Sequence, residues 1–349
     1  DDRNNGLLNG SLYSQLANPD LKWEKNANMN IGVDFAFVER IRGQVEFFSR
    51  YSDNLLFTVP LPQSAGISSK WQNIGSMKNV GIEFQLAADI VKSRDFKWTI
   101  DLNGTHYKNT ITKMPTGTDG KPQEIISGTK KLSEGHSIYD YWLRGYAGVD
   151  ATDGSALYYR DILDANGNVT EKTTTKDQNA ASYYYSGSAI PDLYGGVTNT
   201  FTYKGIDLSV FFTYQIGGLM YDSNYAALMH PGTFGSHMHI DMLNRWTKTN
   251  TTTNVPRLQN AYTAATAASD RWLIDASYLS LRNITLGYNI PSRLLNKISL
   301  KSVRIFATGD NLVLFSKRIG MDPQQSFAGE ADHTYIPQRI VSLGLNITF

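Results

Sequence analysis

The chain has 349 residues, 33 Lys and Arg against 32 Asp and Glu, a formal charge of +1 and no cysteine. Balanced charge gives no electrostatic footprint for a phosphate backbone, so no nucleic-acid partner is expected, and the lack of Cys removes disulfides, thiolate nucleophiles and Cys-based metal centres. No apolar run reaches the roughly 18 residues of a membrane helix, and Asp1 to Asn5 is unlike a signal peptide, so a membrane role has to use strands.

A charged fraction of 19% with 20 Tyr, 15 Phe and 6 Trp favours strands over helices. Apolar residues first alternate at Met29, Ile31, Val33, Phe35 and Phe37, against Asn30, Gly32, Asp34 and Ala36. After Val38-Glu39-Arg40 the alternation resumes at Ile41, Gly43, Val45 and Phe47, which predicts a hairpin. Val80, Ile82, Phe84, Leu86, Ala88 and Ile90 make the apolar face of a third strand. Beyond a turn at Lys92 to Asp95, a fourth strand carries Trp98, Ile100 and Leu102. Another pair spans Leu193 to Tyr203 and Ile206 to Tyr214 around Lys204-Gly205, and Ser277 to Ile290, Ser302 to Leu314 and Arg339 to Phe349 complete the set. Within Ser277 to Ile290 the apolar phase moves from Leu279 and Leu281 to Ile284 and Leu286, which predicts a bulge near Asn283.

These about nine strands, of roughly 9 to 18 residues, are long for a globular sheet and suit a tilted bilayer crossing. Short connections alternate with long ones, the longest at about 113–189 and 220–276. Short turns on one side and long loops on the other predict an all-β, antiparallel transmembrane β-barrel. With the long loops extracellular, Phe349 falls on the periplasmic side and Asp1 to Lys25 outside. An odd strand count leaves two open edges in lipid, which is not viable alone, so residues 1–349 read as the C-terminal portion of one larger barrel domain. The competing reading is a soluble antiparallel sandwich with decorated loops, a secreted carbohydrate-binding protein or glycoside hydrolase.

Several segments carry a resemblance. Asn18-Pro19-Asp20-Leu21-Lys22-Trp23-Glu24-Lys25 leads into Asn30-Ile31-Gly32-Val33-Asp34, and Asn73-Ile74-Gly75-Ser76-Met77-Lys78-Asn79-Val80-Gly81-Ile82-Glu83 introduces the third strand. Pro256-Arg257, Asp270-Arg271-Trp272, Tyr278 to Tyr288, Gly309-Asp310-Asn311-Leu312, Gly320-Met321-Asp322-Pro323 and a terminal Phe349 follow in order. Together they resemble the SusC/RagA-like TonB-dependent outer-membrane transporters of the Bacteroidetes. The resemblance implies a barrel of about 22 strands, with about 13 strands and a plug domain upstream of Asp1; no plug and no TonB box stand in this sequence. It further implies nutrient import with a SusD-like surface lipoprotein, energised by TonB, and Phe349 as the signal read by the barrel assembly machinery. The function expected is therefore transport of an oligosaccharide or peptide across the bacterial outer membrane, in contact with its lipid, not enzyme catalysis.

Chemistry-bearing patterns are sparse. His237-Met238-His239 could share a strand face, with His230 nearby, but no third ligand is recognisable and no metal is assigned. Asp164-Ala165-Asn166-Gly167-Asn168 has its Gly at the wrong position for a calcium loop and reads as a turn. Glu83, Asp89, Asp101 and Asp310 all lie in the polar phase of strands, where a wet lumen explains them. No phosphate loop or nucleophile elbow occurs, so neither a cofactor nor a catalytic residue is assigned. The best candidates for ligand contact are loop aromatics, whose rings stack on sugars or pack peptide side chains while their polar edges hydrogen-bond. They are Tyr139, Tyr141, Trp142, Tyr158, Tyr159, Tyr183, Tyr184 and Tyr185 in the longest loop, with Tyr146 among them, and Tyr221, Tyr225 and Trp246 in the next.

Overall fold

The computed structural model describes residues 16–349 apart from 74, 117–119, 296–299 and 332–333. Ile74 of the second motif, the segment before Leu16 and part of the connection from Pro291 to Lys301 lie outside the described residues.

Nine strands form one antiparallel sheet in which each pairs with its neighbours in sequence. They are β1 (Lys25–Phe37), β2 (Ile41–Asp53), β3 (Ser76–Lys92), β4 (Phe96–Lys113), β5 (Leu193–Tyr203), β6 (Ile206–Ile216), β7 (Tyr278–Asn289), β8 (Ser302–Ser316) and β9 (Ile340–Thr348). Each expected strand is present, most of them a few residues longer than its alternation alone suggested. The turns Val38 to Arg40 and Lys204-Gly205 are tight because Val38, Glu39, Lys204 and Gly205 all hold positive φ, the geometry that two- and three-residue hairpins need.

Register keeps one side chain set together across the whole sheet. Ile31 pairs with Phe47, Phe47 with Ile82, Leu86 with Leu102, Leu102 with Val197, and Val197 with Phe212. Farther along, Leu208 pairs with Leu286, Leu286 with Ala307, and Ala307 with Leu343. A slip of one residue at any pairing would turn a strand's apolar set to the other side. The bulge expected near Asn283 is found at Arg282, where both neighbouring registers shift. It restores phase, so that Leu281 and Ile284 share the apolar face despite their odd spacing. A second bulge leaves Ile90 unpaired between Asp89, which meets Thr99, and Val91, which meets Trp98.

The opposite face is polar along its length: Gln44 meets Gln85, Gln85 meets Asn103, Asp101 meets Thr198, and Thr285 meets Thr308. Glu83, Asp89, Asp101 and Asp310 all lie on it, Asp89 held by Thr99 and Asp310 by Asn283. Cross-strand aromatic rings cover its gaps; at Gly344 a Cβ would stand 2.1 Å from the ring of Phe306.

Large apolar side chains on the other face remain exposed, among them Ile31, Val33, Phe47, Ile82, Leu286, Leu343 and Leu345. Three buried apolar clusters instead lie in the long connections. Those connections carry their own short strands. A four-stranded sheet is built from Ile125–Ser127, Lys130–Leu132, Asp140–Arg144 and Tyr183–Ser188, and a three-stranded one from Tyr146–Val149, Ala156–Leu163 and Val169–Thr175. Both connections expected as plain loops are therefore folded units, cored by Tyr141, Leu143, Met229, Met242 and Trp272. They lean over the polar face: Asn109 of β4 accepts from Ser137 Oγ and Ile138 N at 2.9 and 3.0 Å, and Thr213 of β6 meets Gln324 at 3.4 Å.

Candidate functional site

The loop assembly is held together over long separations in sequence. The Tyr141 hydroxyl donates to the carbonyls of Leu219 and Gly329, and backbone bonds join Tyr221 to Gly329 and Ala331. Arg318 places its guanidinium 3.7 Å above the ring of Tyr225 and its Nε 2.5 Å from a carboxylate oxygen of the buried Asp222. The strap between β8 and β9 is thus fastened onto both longer loops.

Within this assembly the expected aromatic residues separate by burial. Tyr141, Tyr158 and Tyr221 are 0%, 1% and 8% exposed and belong to or border the loop cores, with no ring face open to a ligand. Their expected role in ligand contact is corrected here: they pack the loops, because apolar burial outweighs the hydroxyl, which finds a carbonyl in the case of Tyr141 and Tyr158. Desolvation raises the Tyr221 phenol to about 12.

Tyr225 is likewise committed, donating to Asp241 at 2.7 Å with Arg318 on one ring face and Trp272 at its edge. Trp246 donates to the Ala151 carbonyl at 3.0 Å and covers Gly154. Tyr139 meets Phe327 edge to face at 5.2 Å, and Tyr146 packs on Tyr158.

Trp142, Tyr183 and Tyr185 differ. Strand alternation buries Tyr141 and Leu143 and turns Trp142 and Arg144 to the other side of the four-stranded loop sheet. There Tyr183 pairs with Arg144 and Tyr185 with Trp142. Trp142 and Tyr183 lie nearly parallel, 19° apart at 6.2 Å, and His136 stacks on Tyr185 at 3.5 Å. Cations lie over this wall: Lys131, paired with Glu124 at 2.8 Å, sits 4.0 Å from the Trp142 centroid and Arg144 4.7 Å from that of Tyr183. Tyr183 is 37% exposed. A second, smaller group holds Tyr159 and Tyr184 around Lys172, with Tyr184 donating to Asp161 at 2.6 Å. Burial, followed by that carboxylate, raises the Tyr184 phenol to about 12.

The cations Lys131, Arg144 and Lys172 were not legible as site residues. Lys130 and Lys131 adjoin in sequence, and strand alternation sends them opposite ways. Lys131, the more buried of the two, turns to the wall, whereas Lys130 is half-buried 3.1 Å over the Tyr141 ring and donates to the Tyr139 carbonyl at 3.0 Å. Burial lowers the Lys130 amine to about 7, against the opposing pull of Glu330 and Asp140.

The weighed metal motifs have structural partners. His239 caps a short helical turn by accepting from Asp241 N at 3.2 Å, and His230 meets the His237 carbonyl at 3.1 Å. Asp164 closes a hairpin by accepting from the amides of Asn166 and Asn168, both at 2.9 Å, which holds its carboxyl below the usual range. At the base of that hairpin Lys176 Nζ stands 2.6 Å from Asp150 and 3.1 Å from Asp153. Phe349 follows β9 and is exposed.

Residues 3–312 match the family model described as TonB dependent receptor-like, beta-barrel. TonB-dependent receptor P3 of Formosa agariphila is 31% identical over 372 residues, covering 98% of this chain and 36% of that protein. TonB-dependent receptor SusC of Bacteroides thetaiotaomicron is 30% identical over 349 residues, covering 95% of this chain and 32% of that one. Among solved structures, the RagAB peptide transporter superposes with a TM-score of 0.82 at 28% identity, covering 96% of this chain and 36% of that chain. The chain thus spans about a third of the length of these relatives.

Proposed function

Since this chain belongs to the TonB-dependent receptor β-barrel family, we propose that it is the C-terminal part of an outer-membrane barrel that imports a nutrient. Residues 1–349 supply the last nine strands of a barrel of about 22. In this reading the apolar face meets lipid, the polar face lines the lumen, the long loops are extracellular and Phe349 is the periplasmic assembly signal. A SusD-like lipoprotein covers the loops, and TonB supplies energy through a region outside this sequence. The carrying observation is the two-faced sheet, apolar side chains exposed on one face and folded loops gathered over the other. The soluble sandwich would need a second sheet against those apolar residues, and none covers them among the described residues.

The cargo is an oligosaccharide or a peptide, and the likeness to a peptide transporter supports the second. Its proposed contacts are the exposed ring of Tyr183 with the half-buried Trp142 and Tyr185 next to it, and, as a separate group on the other side of that sheet, Tyr159 and Tyr184. Aromatic rings beside the Arg144 guanidinium suit a ligand that combines apolar groups with carboxylates, since Lys131 is already paired with Glu124. The test is binding of a peptide digest and of an oligosaccharide mixture to the full-length receptor, followed by Trp142→Ala with Tyr183→Ala. The double variant should lose about thirtyfold in affinity, from roughly 1 kcal/mol for each of the two rings. Unchanged binding would remove the wall from the site, and a receptor that does not sediment with outer membranes would remove the transporter reading.

A further inference from the structure

On the apolar face, the long-loop end of the first four strands changes character within three rungs of the sheet. The rung Ile31, Phe47, Ile82 and His106 is followed by Met29, Ser49, Val80 and Lys108. Ala27, Tyr51, Lys78 and Thr110 make the next, and Lys25, Asp53, Ser76 and Lys113 the last. Lys108, Lys78 and Lys25 therefore climb the same face on successive rungs, directly beyond the exposed side chains of Ile31, Phe47 and Ile82. All three lysines are exposed. Asp53 is the carboxylate of this rim; it accepts from Ser76 at 2.5 Å and feels Lys25 and Lys113. Lys78 and Lys108 enter no ion pair among the described residues. Across β5 to β8 the same end of the face carries Leu193, Ile216, Leu279 and Phe315 instead, with Lys317 and Arg339 only flanking the connection from β8 to β9, so lysines on successive rungs belong to the first four strands.

We propose that this arc binds the phosphate-bearing headgroup of an anionic lipid in the long-loop leaflet, Lys108, Lys78 and Lys25 taking the phosphates while Ile31, Phe47 and Ile82 take the acyl chains. The inference rests on the apolar face meeting lipid. An ammonium at this height reaches the headgroup layer with its stem on apolar surface, and Lys78 and Lys108, with no carboxylate partner among the described residues, are left to a ligand while Lys25 shares the rim with Asp53. Phosphate and hydrocarbon in one molecule match the order of the rungs, which free phosphate would not.

The experiment is native mass spectrometry of the full-length receptor in zwitterionic detergent, titrated with phosphatidylglycerol and, separately, with inorganic phosphate. The wild type should retain phosphatidylglycerol and ignore phosphate, and K25Q/K78Q/K108Q should retain it about fivefold less for each lysine removed. The charge-conserving K25R/K78R/K108R variant should bind as the wild type does, which excludes misfolding as the cause. Equal retention by the Gln variant would overturn the inference, as would an equal loss on replacing Lys92, Lys97 and Lys204 at the other end. In both cases a receptor that still floats with vesicles leaves the barrel reading intact; failure to float would overturn both.

Discussion

Arg304 on β8 reaches across the intervening strand to Asp207 on β6, its Nη2 2.5 Å and its Nε 3.2 Å from the two carboxylate oxygens. The strand between them offers Gly287, which pairs with Asp207 on one side and Phe306 on the other. A Cβ at Gly287 would stand 2.4 Å from the guanidinium and 2.6 Å from the carboxylate. The missing side chain is the slot through which two non-adjacent strands are tied, and it places a bidentate pair on the polar face near the short turns.

Gly287→Ala should push this pair apart and lower stability by no more than about 1 kcal/mol, the worth of a partly exposed ion pair, because the crowded atoms are the tips of two flexible side chains. The temperature at which the folded band disappears on unheated gels checks it. Arg304→Lys should give a smaller loss, since a point charge keeps the attraction but not the fork.

Leu345 sits on the exposed apolar face between Val341 and Phe349, paired with Ile305. Leu345→Arg should cost about 2–4 kcal/mol if the site lies near the bilayer midplane, whereas Asn346→Arg on the polar face should be tolerated. The fraction assembled in outer membranes distinguishes the two, and equal assembly would count against a lipid-facing surface.

Lys130 gives the loops a dependence on pH. Its folded pKa of about 7 lies below the ordinary lysine value near 10.5, so between these the unfolded loop binds more protons than the folded one. Loop stability should therefore rise from pH 7 toward pH 10 and be lowest below 7, where burying the charged amine carries its full cost. Hydrogen exchange of residues 125–144, corrected for intrinsic rates, should show protection growing over that window in wild type. In Lys130→Met, which keeps the packing over Tyr141 and removes the titration, the protection should stay flat.

Sequence legibility followed the range of the interactions. The sheet was readable because each strand carries its own period of two and each short turn fixes the next register; even the phase shift at Leu281 and Ile284 announced the bulge at Arg282. The loops were not, since strands such as Ile125–Ser127 and Lys130–Leu132 are too short to show a period. Their partners are also remote, as in the bond from Tyr141 to Gly329 across 188 positions. Aromatic content located the candidate region but could not separate Tyr141 from Trp142, neighbours in the chain that alternation sends to opposite sides.

The nine-stranded meander and its two faces follow from local pattern, because alternation and turn chemistry act within each strand and repeat along the chain. The tertiary structure alone decided which aromatic rings are core and which stay open, and that Lys25, Lys78 and Lys108 share one arc. Those outcomes depend on contacts between segments tens to hundreds of residues apart, whose closure no local pattern encodes.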